Sequence, residues 1–85
     1  KIKKILAYET PSETEWGIKQ FAPTVYADIT ETLDNKLKAM ACYPSELRQY
    51  PHPRSLEAIT VLAKKRGTDV GLLVAEAFVL IREIL

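Results

Sequence analysis

The only histidine of the chain stands between two prolines, in Pro51-His52-Pro53-Arg54-Ser55. Each proline fixes its own φ and turns the residue before it away from the α conformation. The stretch therefore predicts an extended, stiff backbone at Tyr50 and His52, and no helix can run through it. A stiff loop that carries an imidazole and a guanidinium to a helix N-terminus suits an anion or a sugar. The plainer alternative is a rigid connector whose histidine packs or faces water.

On the C-terminal side, Ser55 or its neighbours start a helix whose apolar side is Leu56, Ile59, Leu62 and Ala63. Lys64-Lys65-Arg66 reads as a solvated basic end that complements the helix dipole, and Gly67 as the left-handed residue that closes it. On the N-terminal side, residues 2–8 are short and rich in apolar residues, and Thr10-Pro11-Ser12 leaves no length for a helix, so a buried strand is expected. Residues 9–23 read as loop. Ser12 and Glu15 have the spacing of a capping box for one short turn carrying Trp16, and Trp16 and Phe21 either pin to a core or wall a pocket. Residues 24–29 read as a second short strand. Asp28 or Thr30 then caps a helix with Glu31 in its first turn, and Ile29, Leu33, Leu37 and Met40 give it one apolar face before Pro44 ends it.

The tail reads two ways. Leu73, Ala77, Leu80 and Ile84 form a helical stripe, which propensity favours, yet Val74 to Ile81 is nearly continuous apolar sequence broken only by Glu76, as in a buried strand. A carboxylate among apolar neighbours needs a partner, and an arginine of the same chain is the expected one.

Composition narrows the function more by exclusion than by assignment. An 85-residue chain with 47% hydrophobic and 27% charged residues has room for one small domain with a marginal core. A net charge of +1 predicts no pull toward nucleic acid or anionic lipid. The single Cys42 excludes an internal disulfide and cannot alone hold a structural zinc. No apolar run reaches the length of a membrane span and no signal-peptide pattern is present, so a reducing, cytoplasmic setting is expected. The chain opens at Lys1 directly into a strand-like pattern, which reads as a piece of something larger. There is no Ser/His/Asp set, Gly-rich phosphate loop, histidine pair or Cys-x-x-Cys, and Glu9, Asp28 and Glu76 are isolated carboxylates. On the residues alone this is a soluble α+β fragment with no assignable activity.

A run of landmarks in register adds to this: Tyr8-Glu9-Thr10, Phe21-x-Pro23, Asp28-Ile29-Thr30, Lys36-Leu37-x-Ala39 and Tyr43-x-Ser45-Glu46. It continues through Pro51-His52-Pro53-Arg54-Ser55, Arg66-Gly67, Gly71 and Ala75-Glu76-Ala77-Phe78. In this order the chain resembles the C-terminal part of the LmbE-like, or PIG-L-like, zinc-dependent deacetylases, which remove acetyl groups from N-acetylglucosamine derivatives. The resemblance covers essentially all of residues 1–85 and implies an α/β parent of Rossmann-like topology. This chain would supply one large-sheet strand, two main helices and a short two-stranded pairing. It turns the tail toward a short strand paired with residues 24–29. The family's His-Pro-Asp-Asp metal motif has no counterpart here, since His52-Pro53-Arg54-Ser55 begins alike but lacks both aspartates. Zinc is thus implied for the parent, with its ligands outside this chain.

The resemblance further implies a partner in the N-terminal part of the deacetylase, an N-acetylglucosamine-type substrate, and a homo-oligomer, trimer or hexamer. Glu9 and Thr10 follow a strand at its C-terminal end, where open α/β sheets bind ligands. Glu9, Trp16, His52 and Arg54 are accordingly the candidate substrate-binding residues, Trp16 by stacking on a sugar face. The competing expectation is a non-enzymatic helical interaction module, binding through Leu33/Leu37/Met40 or Leu73/Leu80/Ile84.

Overall fold

The structure is a computed structural model that describes residues 1–11, 13, 16–17 and 20–85. The Ser12–Glu15 capping box lies outside the described residues. Among the described residues, three strands and two helices follow in the order β1 (Lys4–Tyr8), β2 (Val25–Asp28), α1 (Leu33–Ala41), α2 (Leu56–Val70) and β3 (Ala75–Glu83).

The tail is strand, not helix. β3 is the centre of a three-stranded sheet of order β1-β3-β2, and both neighbours run antiparallel to it. Pairing with β2 sets Asp28 by Ala75 and Val25 by Phe78. The expected strand near the N-terminus therefore does not stand apart from a two-stranded pairing; β1 lies on the other side of β3, from Tyr8 by Phe78 to Lys4 by Glu83. Between Ile5 and Leu6 the register shifts, so that Ile81 is an extra residue on β3. The two ladders are offset and share a single row, Tyr8-Phe78-Val25. Beyond that row, among the described residues, the β1/β3 ribbon projects without a third strand. The radius of gyration is 13.7 Å, against about 12 Å for a compact chain of this length.

The core sits at the other end of β3. α2 presents Ile59, Ala63 and Gly67 at four-residue spacing, all buried, and packs on β3. Ala75 and Ala77 of β3 are 1% and 3% exposed. Small residues on both elements let helix and strand approach closely. Ile29, Ala63 and Val74 cluster, with Leu33 packed on them. α1 is held mainly by α2 and buries none of its own residues fully; Leu33, Leu37 and Met40 are half-buried.

The helix ends correct several expectations. Ser55 is the N-cap of α2, its Oγ accepting from the Ala58 N–H at 3.0 Å. Gly67 does not close that helix; α2 runs on to Val70 and Gly71 takes the left-handed conformation, φ 77°. Leu72 N–H donates to the Gly67 carbonyl and Gly71 N–H to that of Thr68, a Schellman ending. Gly67 is needed for space instead: a Cβ there would lie 2.6 Å from the Leu72 carbonyl oxygen. Neither Asp28 nor Thr30 caps α1. The helix begins later, at Leu33, with no side-chain cap and Asp34 rather than Glu31 in its first turn. Asp28 Oδ1 instead accepts from the N–H and hydroxyl of Thr30, at 2.9 and 2.6 Å.

Candidate functional site

The Pro-His-Pro stretch turns rather than running extended. His52 N–H donates to the Gln49 carbonyl and Ser55 N–H to the His52 carbonyl, each at 3.0 Å, and Arg48 N–H closes the loop on the Arg54 carbonyl. The two turns point the imidazole inward on its own backbone, where Nδ1 accepts from the Arg54 N–H at 3.0 Å. The neutral ring therefore carries its proton on Nε2, which is left to donate. Trp16 meets the same ring edge to face, with centroids 5.1 Å apart and planes at 78°. Trp16 is not pinned to the core; it is 63% exposed. Arg54 reaches Glu46 at 3.6 Å, and its Nε is buried with no hydrogen-bond partner among the described residues. Trp16, His52 and Arg54 thus form one neighbourhood.

Glu9 belongs to another. At the end of β1 it meets Arg66 of α2 through both oxygens, Nε to Oε2 at 3.2 Å and an Nη to Oε1 at 2.5 Å. The side chains are 12% and 17% exposed, so this pair is largely shielded from water. Arg66 also lies 5.8 Å from the centroid of Phe21 and 3.5 Å from Asp69. The hydrogen bonds it donates to Glu9 hold the Arg66 guanidinium above its ordinary pKa, against the opposing effect of burial. Asp69 is held below the usual carboxylate value, first by its hydrogen bond from Lys65 and then by Arg66. The Lys64–Arg66 run is therefore not a uniformly solvated end: Arg66 is the tie between α2 and β1. Nothing local in the sequence marks it, because its partner lies 57 residues away.

Between the helices and the sheet is a cavity of about 330 Å³, walled by Glu9, Pro11, Met40, Ile59, Leu62 and Ala77 among others. Lys36 and Glu76 line it too and pair at 2.8 Å. The partner of Glu76 is thus a lysine from α1, not the expected arginine. The cavity offers an apolar floor and the Lys36–Glu76 ion pair. Among the described residues no three His, Cys, Asp or Glu side chains come together as a metal ion requires. No described helix is long and apolar enough to cross a membrane.

Comparison of the chain with family models, with curated proteins and with solved structures finds no match.

Proposed function

We propose that this chain is the C-terminal segment of a zinc-dependent deacetylase acting on N-acetylglucosamine derivatives, to which it contributes sheet edge, one pocket wall and oligomer contacts. The observation that carries the reading is the antiparallel pairing of β3 with β2. Propensity favours a helix over the tail; the resemblance implies a strand at this place, with this neighbour. By the resemblance, the zinc of such an enzyme would be held by the rest of the parent, since His52-Pro53-Arg54-Ser55 lacks the aspartates of the family's metal motif. There it would polarise the amide carbonyl and activate water. The part left to this chain is binding and orientation. The exposed indole of Trp16 presents a face to a sugar ring, and His52 Nε2–H is a donor for a hydroxyl. Arg54 binds the same imidazole through its backbone N–H, and its guanidinium is turned to Glu46. Both Glu9 oxygens are bonded to Arg66, which makes Glu9 a fixed part of the pocket wall.

The test is purification from the native source, with intact mass, metal content and acetate release from N-acetylglucosamine conjugates. A second polypeptide with stoichiometric zinc is expected. Trp16→Ala should raise KM while leaving kcat near its original value. A single folded, metal-free species of 9.6 kDa that releases no acetate overturns the proposal.

A second reading, an interaction module, is favoured by the projecting ribbon, where Ile81 is 60% exposed and Leu80 38%. It is not the helical module that the tail stripe suggests. Leu80 lies on a strand, Ile84 just past it and Leu73 in the turn before it, so the three share no helix face.

A further inference from the structure

Where α1, α2 and the sheet meet, Ala63, Ala75 and Ala77 line the cavity and leave room that larger side chains would fill. Its volume is about 330 Å³, at the small end of the range in which proteins hold low-molecular-weight ligands. Half-buried Met40, Leu62 and Phe78 complete the apolar wall, each from a different element. A methionine in such a wall adapts to the shape of a guest. Lys36 of α1 and Glu76 of β3 line the same cavity and are paired at 2.8 Å. Their side chains are 37% and 36% exposed, so both charges are accessible. Glu9 is not available to a guest, since both its oxygens are bonded to Arg66.

We infer that this cavity binds a small zwitterion with an apolar tail, an α-amino acid of the leucine kind. Its carboxylate lies on Lys36, its ammonium on Glu76 and its tail against Met40, Leu62 and Phe78. The ion pair singles out that guest. A pair this exposed is weakly held, and a guest opens it at small cost. An apolar acid would take Lys36 and leave the Glu76 carboxylate without its cation beside an apolar wall. An apolar amine would strand Lys36 in the same way. An uncharged guest would leave the pair closed and draw on the apolar wall alone. An α-amino acid carries its two charges side by side, as Lys36 and Glu76 do. Each side chain then exchanges one partner of opposite charge for another, and the hydrogen bonds stay charge-assisted. The tail and the apolar wall leave water together, which supplies the driving force.

This inference goes beyond the deacetylase reading and needs neither zinc nor an acetylated sugar. It is tested on the 85-residue chain by titration calorimetry with L-leucine and four relatives of it. These are 4-methylpentanoate, which lacks the ammonium, 3-methylbutylamine, which lacks the carboxylate, 3-methylbutanol, which lacks both charges, and glycine, which lacks the tail. Leucine should bind with a Kd of about 0.5 mM, and each relative about tenfold more weakly or worse. No leucine binding up to about 10 mM overturns the inference. So does any relative that binds as tightly as leucine; 3-methylbutanol doing so would make the cavity a site for apolar molecules in general. Lys36→Met should lower leucine to the affinity that wild type has for 3-methylbutylamine. Glu76→Gln should lower it to that for 4-methylpentanoate. Each variant should keep the wild-type circular dichroism spectrum, and a folded variant that binds leucine undiminished overturns the inference. Where a variant fails to fold, the comparison of the five probes on wild type decides alone.

Discussion

β3 lives in two environments. Its first half, Ala75 to Phe78, lies against β2 and beneath α2, where Ala75 and Ala77 are almost wholly removed from water. Its second half has β1 on one side only, and Leu80 and Ile81 stay exposed although they are larger and more apolar. The difference teaches that hydrophobicity does not decide burial here; the size of the side chain facing the helix does. Alanines and a glycine permit close approach between α2 and β3, and that approach gives the base of the molecule its density. A two-stranded ribbon with no helix over it has marginal stability of its own.

The sharpest way to break the contrast is Gly67→Ala. The added Cβ meets the backbone carbonyls of Leu72 and Leu73 at 2.6 and 2.8 Å, and neither can rotate away. A loss of about 3 kcal/mol is expected, read by denaturant unfolding. Arg66→Ala comes next. It leaves the Glu9 carboxylate shielded and unpaired and should cost about 2 kcal/mol; Arg66→Lys should recover only part of that, because a lysine cannot span both oxygens. In the ribbon, Ile81→Ser removes an exposed methyl-rich side chain and should change stability by no more than about 0.5 kcal/mol. Equal costs at Gly67 and Ile81 would show that the two halves of β3 are not energetically distinct.

Much of the base was legible because its signals are local. Ser55 before an apolar periodic run announces α2, and Leu33, Leu37 and Met40 announce the face of α1, while Ile29 of the same stripe lies before the helix. The end of α2 was harder: Gly67 and Gly71 both follow the basic run, and only the chain's return toward β3 decides which takes positive φ and which makes room. The tail was ambiguous for a physical reason. Alternation and helical periodicity coincide over so short an apolar run, so the choice belongs to the neighbours β1 and β2. The candidate site depends on distant neighbours in the same way. Trp16 and His52 meet edge to face from distant parts of the sequence, and no local signal pairs them. The Arg66 bond to Glu9 and the Lys36 bond to Glu76 join residues far apart in sequence, and no spacing rule reaches them.

The shared row at Phe78 also governs how the molecule breathes. With only Tyr8, Phe78 and Val25 common to both ladders, the ribbon can part without disturbing a single bond between β3 and β2. Backbone amides on the two sides of that row therefore belong to separate opening units. Deuterium should enter the distal stretch of β3 well before it enters Ala75 to Ala77, so one continuous strand reports two free energies.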